Sequence, residues 1–154
     1  MKKYILPFII MLFINFLGLY LGGLATNPGV QSDWYQNQIV QAPWKPPGFV
    51  FGIVWTLIGI TWSVLGAWIW KNKKELLDIY AAGWVLNLAW NPIFFIFHAT
   101  LAASIVISLL AVSIFYILES LRRSGNQKVS YWGYLYFFWL MIASSINWFI
   151  TIMN

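Results

Sequence analysis

The sequence predicts an all-α membrane protein, in which five transmembrane helices form one bundle and a single domain. Of the 154 residues, 61% are hydrophobic and only 8% are charged, whereas about a quarter of a soluble domain is charged. The charges also leave four long uncharged stretches, at 4–32, 46–70, 79–118 and 129–154. A charge at the bilayer centre costs about 2.5 kcal/mol or more, so these are the stretches that lipid can surround.

The length of each uncharged stretch gives the number of helices. A helix needs about 20 residues to cross the hydrocarbon core, so the third stretch holds two helices, joined near His98-Ala99-Thr100. The predicted helices are 5–25, 48–70, 79–97, 101–121 and 131–152. The long connection 26–47 contains the turn signal Asn27-Pro28-Gly29, and we expect it to form a lid over a pocket.

The basic residues predict the orientation of the chain. Eight of the nine precede helix 1 or lie between helices 2 and 3 or helices 4 and 5, and only Lys45 lies in the 26–47 loop. The positive-inside rule therefore places the N-terminus in the cytoplasm, and the C-terminus and the 26–47 loop on the outer side. We interpret the net charge of +5 as a topology signal and a contact with anionic lipid, not as a nucleic-acid footprint.

The first apolar stretch has an alternative interpretation. The opening Met1-Lys2-Lys3 and the small residues of Gly23-Leu24-Ala25 would also fit a secretory signal peptide and its cleavage site. The apolar run is closer to a full span than to an h-region of about 7–15 residues, which favours a retained helix. N-terminal sequencing of the purified protein distinguishes the two.

Three helices carry indole rings on one face, and in two of them the same face also carries amides. The residues are Trp55 and Trp62 of helix 2, Asn87, Trp90, Asn91 and Phe94 of helix 3, and Trp139, Ala143 and Asn147 of helix 5. Residues three, four and seven apart share a helix face, and amides in a membrane face protein or a cavity because unsatisfied amides are costly in hydrocarbon. The pattern suits a large planar ligand with a few polar edges. Interhelical hydrogen bonding is the alternative.

Two glycines on helix 1 and one proline on helix 3 affect how these helices pack and bend. Gly18 and Gly22 form a GxxxG pattern on helix 1, which serves either packing within the chain or a dimer. Pro92 cannot donate to the carbonyl of Leu88, so we expect a kink in helix 3.

Several chemistries are excluded by composition. The chain has no Cys, one His and four acidic residues, none of which lies in the middle of a predicted span, so we predict no metal site, no Ser-His-acid triad and no mid-membrane carboxylate relay. A retinal Schiff base is excluded because no Lys lies within a span. His98 offers one haem ligand, but a lone His at a helix end is more often an interfacial hydrogen-bonding residue.

Three motifs in order resemble one known family. They are Pro43-Trp44-Lys45-Pro46-Pro47-Gly48 followed by Trp55, then Asn87-Leu88-Ala89-Trp90-Asn91-Pro92-Ile93-Phe94-Phe95, then Trp139 to Asn147-Trp148. Over the whole chain this resembles the TspO/MBR family, which comprises the tryptophan-rich sensory proteins of bacteria and the mitochondrial translocator protein, once called the peripheral benzodiazepine receptor.

The resemblance implies a five-helix bundle, usually a homodimer, that acts as a membrane receptor for tetrapyrroles such as protoporphyrin IX and requires no cofactor. Benzodiazepine-site ligands and, in animal members, cholesterol are further ligands of the family. Carried over by position, the pocket residues are Tyr35, Pro46, Trp55, Asn87, Trp90, Asn91, Phe94, Trp139, Ala143 and Asn147.

Two further activities follow from the resemblance as alternatives. Some members are reported to degrade porphyrin in light and oxygen, and Trp55 and Trp139 match the tryptophans implicated, so enzymatic activity is an open question. The protein would otherwise be a transporter of porphyrin or another small metabolite. Transport would have to be passive, because no mid-span charge is present to couple an ion.

The sequence departs from the family at two places. Gly59 stands where many relatives have an aromatic residue, which predicts a wider or differently shaped pocket. The C-terminal cholesterol motif of animal members needs a basic residue, and none follows Lys128. Val112, Tyr116 and Arg122 match the general cholesterol pattern formally, but that pattern is weak.

Overall fold

The computed structural model describes residues 2–154, and these residues form helices joined by short connections. The five α-helices are α1 (Lys2–Gln31), α2 (Gly48–Asn72), α3 (Leu77–Phe95), α4 (Thr100–Arg123) and α5 (Gln127–Met153). A π-helical turn at Trp34–Gln38 lies in the first connection and a 3-10 turn at Lys74–Leu76 in the second. No strand occurs within residues 2–154, which confirms the all-α class.

Four of the helices, α1, α2, α4 and α5, are long and apolar enough to cross a membrane. The remaining helix, α3, has 19 residues but falls short in mean hydropathy, because Asn87, Asn91 and Pro92 lie in its second half. It nevertheless packs against α1 and α4 as part of the bundle. The fold is therefore an all-α membrane bundle in which α3 packs between α1 and α4.

The helices form a closed ring. Helix α1 packs against α2 and α3, α4 packs against α3 and α5, and α5 packs against α2. Side chains such as Leu65, Leu110, Ile114 and Leu140 are fully buried at the centre of the main core. A second, smaller apolar cluster contains Phe94, Ile146 and residues of the first connection, so the loop is packed onto the bundle.

The bundle has two distinct ends. At the loop end, the ring of Trp34 stacks on His98 with 4.0 Å between centroids, and the Asn154 side chain accepts a hydrogen bond from the Val40 backbone at 2.8 Å. At the opposite, basic end, Tyr4 of α1 meets Asn72 at the end of α2. Which end faces the cytoplasm stays a prediction from charge.

The first connection is shorter than predicted. Helix α1 continues beyond residue 25 to Gln31, so Asn27-Pro28-Gly29 lies within the helix and only residues 32–47 remain as a lid, in place of 26–47. The reason is tertiary packing: a Cβ added at Gly29 would lie 2.5 Å from the Cβ of Phe95. Close contact with α3 holds this turn helical, although Pro28 removes one backbone donor.

The GxxxG pattern of α1 serves packing within the chain. A Cβ added at Gly18 would lie 2.6 Å from Nε1 of Trp84, and one at Gly22 would lie 2.8 Å from Nδ2 of Asn91. Both glycines therefore let α3 approach the backbone of α1, as small residues do between membrane helices.

Candidate ligand site

A central cavity lies halfway along the bundle, between α1, α2, α3 and α5. Its empty volume is about 410 Å³, including the open space at its mouth. Four helices contribute its lining residues, which are Asn15, Gly18, Leu19, Trp55, Ile58, Gly59, Trp62, Trp84, Asn87, Leu88 and Tyr136. The cavity therefore has flat aromatic walls, two amides and two glycines in its lining.

The aromatic walls are held in fixed orientations. The ring of Tyr136 meets Trp55 edge-on, with 5.8 Å between centroids and 71° between planes, and meets Trp62 similarly at 5.3 Å and 77°. On its other side Trp62 lies parallel to Tyr80, with 5.0 Å between centroids and 4° between planes. Such pairs stabilise ring positions beyond area burial alone, so these walls are preformed.

A buried polar network bounds the cavity on the side of the basic end. The Asn15 side chain is 7% exposed, and its Nδ2 donates to the Ser63 hydroxyl at 2.9 Å and to the Tyr80 hydroxyl at 3.0 Å. The Tyr80 hydroxyl in turn donates to the carbonyl of Trp62 at 3.1 Å. The network joins α1, α2 and α3 and uses both hydrogens of the Asn15 amide.

The three predicted amides have different environments. Asn87 lines the cavity, and none of the hydrogen bonds within residues 2–154 involves its side chain. Asn91 instead donates to the Asn87 carbonyl at 2.9 Å and accepts from the Thr26 hydroxyl at 2.7 Å. Asn147 accepts from Nε1 of Trp90 at 3.0 Å. Only Asn87 therefore presents an uncommitted amide to the cavity.

An aromatic cap packs the first connection onto the end of α3. We use this name for Trp34, Tyr35, Trp90 and Phe94. Phe94 stacks on Trp90 with 5.4 Å between centroids and meets the edges of Trp34 at 5.5 Å and Tyr35 at 6.3 Å. The hydrogen bond from Trp90 to Asn147 fixes the cap to α5. The cap therefore connects the first connection, α3 and α5.

The loop contributes a cation to the cap. The Lys45 ammonium lies 4.9 Å from the centre of the Tyr35 ring, within the range of a cation–π contact. Burial raises the pKa of Tyr35 above its ordinary value, so its hydroxyl stays neutral at physiological pH. Pro46 is half-buried beside Lys45 and does not line the central cavity.

The predicted residues of α5 lie beside the cavity and not in its lining. The Trp139 indole is 6% exposed and meets Phe51 edge-on at 5.2 Å, and Ala143 packs against the main core. Within residues 2–154, Nε1 of Trp139 and the hydroxyl of Ser144 are buried without a hydrogen-bond partner. An unsatisfied buried donor is costly, and neither residue lines the cavity.

The structure thus divides the ten predicted site residues. Trp55 and Asn87 line the central cavity, and Tyr35, Trp90, Phe94 and Asn147 form or hold the cap. Asn91 faces α1. The other three, Pro46, Trp139 and Ala143, lie outside the cavity lining.

Sequence reasoning missed two important lining residues. Asn15 is the single amide in 5–25, and a buried amide in an apolar span was a signal that could have identified it. Trp84 was not among the predicted residues, although it stands three residues before Asn87 and seven before Asn91 and so shares their helix face. It reaches α1 by donating from Nε1 to the Ile14 carbonyl at 3.2 Å. Gly59, predicted to widen the pocket, does line the cavity.

Comparison with known proteins identifies the family. The model of the TspO/MBR family matches residues 10–153. The tryptophan-rich protein TspO of Chlorobaculum tepidum is 30% identical over 129 residues, which are 80% of this chain and 81% of that protein. The TspO of Archaeoglobus fulgidus is 26% identical over 88% of both chains, and the translocator protein of Bos taurus is 35% identical over 51% of this chain and 50% of its own. Since the family model covers nearly the whole sequence, the chain belongs to the TspO/MBR family.

Proposed function

We propose that the protein is a membrane receptor that binds a planar tetrapyrrole, such as protoporphyrin IX, between α1, α2, α3 and α5. The observation that carries this proposal is the central cavity, in which the indoles of Trp55, Trp62 and Trp84 surround the uncommitted amide of Asn87. Flat apolar walls bind a large ring by stacking, and one amide fixes the position of a polar edge.

The cavity is too small to hold a tetrapyrrole unless the aromatic cap moves. Apart from the open space at its mouth, its volume is about 30 Å³, whereas ligand sites measure about 300–1,000 Å³. A tetrapyrrole would therefore extend towards the loop. There the unpartnered Nε1 of Trp139 would donate to a ligand acceptor, and Lys45 beside Tyr35 would meet a propionate. Aromatic ligands of the benzodiazepine-site class would compete for the same space.

A titration in the dark tests the proposal. Protoporphyrin IX is added to the purified protein in detergent, and its absorbance shift is followed for the natural chain and a Trp55→Ala, Asn87→Leu variant. We expect at least a tenfold loss of affinity, since one hydrogen bond contributes about 0.5–1.5 kcal/mol and a stacked ring adds about 0.5–1.5 kcal/mol beyond its buried area. Asn27→Leu is the control, because Asn27 is exposed on α1. Unchanged affinity in the folded double variant would refute the site.

Illumination in oxygen tests the degradation that the family resemblance implies. Trp55 lines the cavity, so an excited porphyrin there would lie against an oxidisable indole, whereas Trp139 lies behind Phe51. We expect Trp55→Phe to slow porphyrin loss more than Trp139→Phe does. A defined product formed with turnover would make the protein an enzyme; mere bleaching would not.

A flux measurement separates the receptor from a passive transporter. Liposomes with and without the protein are loaded with porphyrin, and its escape is timed. We expect equal rates for the receptor, while faster escape through the protein would establish transport.

A further inference from the structure

A second concave site lies on the outer surface of the bundle, at the basic end between α1 and α2. Its lining residues are Tyr4, Ile5, Phe8, Val64, Ala67 and Trp68, and its empty volume is about 710 Å³, including open space. We call it the basic-end groove. It shares no lining residue with the central cavity, so a ligand there is independent of the proposed tetrapyrrole.

One face of α1 and one face of α2 form the walls of the groove. Val64, Ala67 and Trp68 are three and four residues apart and share one face of α2, and Tyr4 and Phe8 are four apart on α1. Ala67 is only 2% exposed, so its small side chain forms the floor while larger side chains form the rims. The lining is almost entirely apolar, which suits a single acyl chain lying along the helices.

The end of the groove is polar and cationic. The Tyr4 hydroxyl accepts from Nδ2 of Asn72 at 3.2 Å, and the Lys3 ammonium lies 5.0 Å from the centre of the Tyr4 ring. Lys71 follows Trp68 by three residues and continues the same face of α2. A hydroxyl and an amide therefore lie at this end of the groove, with the Lys3 ammonium beside the Tyr4 ring and Lys71 on the helix face that continues the groove.

Glu75 and Glu119, two of the three acidic residues at the basic end, pair with other cations. Glu75 pairs with Lys73 at 3.4 Å, and Glu119 pairs with both Arg122 and Arg123. Within residues 2–154, no ion pair involves Lys3 or Lys71. Their charges are available to an external anion.

We propose that the basic-end groove binds an anionic phospholipid of the surrounding bilayer, with one acyl chain against Trp68 and the headgroup between Lys3 and Lys71. Each basic side chain at the membrane surface raises the affinity for anionic lipid about fivefold. A zwitterionic phospholipid would bring its own cation to the two lysines, and a sterol would leave them without an anion. The apolar lining selects a lipid chain, and the cations select the headgroup.

Quenching of Trp68 fluorescence tests the proposal. The full chain is reconstituted in bilayers in which phospholipids with brominated chains are either anionic or zwitterionic. Because the chain has eleven tryptophans, the contribution of Trp68 is taken as the difference between the natural chain and a Trp68→Phe variant. We expect the anionic brominated lipid to quench Trp68 at a lower mole fraction than the zwitterionic one.

Charge variants identify the headgroup contact. In the double variant Lys3→Gln, Lys71→Gln, we expect the preference for anionic over zwitterionic lipid to fall about 25-fold, because each lysine contributes about a factor of five. The matched control is Lys74→Gln, Lys128→Gln, which removes two charges near the same end but none that flanks the groove, and it should keep the preference. Equal quenching by both lipids, an equal loss in the control variant, or displacement of the anionic lipid by a brominated sterol would overturn the proposal.

Discussion

The hydrogen bond between Trp90 and Asn147 predicts a measurable energy that holds the aromatic cap on α5. Nε1 of Trp90 donates to Oδ1 of Asn147 at 3.0 Å; Asn147 is 4% exposed, and Trp90 is half-buried. Hydrogen bonds between membrane helices average about 0.6 kcal/mol and reach about 1.7 kcal/mol. Because this bond has an ordinary length and a buried acceptor, we expect a coupling energy between Trp90 and Asn147 of about 0.6–1.7 kcal/mol.

A double-mutant cycle measures that coupling. The variants are Trp90→Phe, Asn147→Ala and their combination, and the free energy of unfolding is measured in detergent by titration with a denaturing detergent. Phenylalanine at 90 keeps an aromatic ring against Phe94, which stacks there at 5.4 Å, so the cycle isolates the hydrogen bond. Additive effects of the two substitutions, with no coupling beyond error, would refute the idea that this bond holds the aromatic cap on α5.

Two further predictions concern packing and the loop. Gly22→Val should lower the free energy of unfolding by about 1–3 kcal/mol, because a Cβ at Gly22 would lie 2.8 Å from Asn91. Gly23→Val is the control, since the nearest atom to a Cβ at Gly23 is 3.7 Å away. An equal loss of stability in both variants would contradict the contact between Gly22 and Asn91. Hydrogen bonds from Asn37 and Gln38 hold the pKa of the Asp33 carboxyl below its ordinary value of 3.8, so the loop stabilisation is present above pH 3.8 and is lost as the pH falls through the lower folded value. NMR titration should show that Asn37→Ala raises this pKa, and an unchanged value would exclude that hydrogen bond as its cause.

The helices could be predicted from the sequence because charge is excluded from hydrocarbon. The start of α2 at residue 48 agrees with prediction, and α4 and α5 differ from it by a few residues. The end of α1 could not be predicted in this way. Pro28 and Gly29 read locally as a turn, but the contact of Gly29 with Phe95 joins residues far apart in sequence, and it overrides the local preference.

The candidate site shows the same limit in its side chains. Helical periodicity correctly placed aromatic and amide residues in the interior, but it could not say which neighbour each amide meets. Asn91 shares a face with Asn87 by spacing, yet its oxygen accepts from Thr26 of α1. The partner depends on how α1 and α3 pack, and that depends on the glycines between them.

The division among the amides bears on which residue controls ligand affinity. A ligand atom that reaches Asn147 must first replace the bond from Trp90, so the gain is the difference between two similar hydrogen bonds and is close to zero. A ligand that meets Asn87 replaces no bond within residues 2–154 and gains the full contribution, about 0.5–1.5 kcal/mol. Although both amides lie in the same bundle interior, Asn87 should therefore select the polar edge of the ligand, and Asn147 should instead set the energy needed to open the cap.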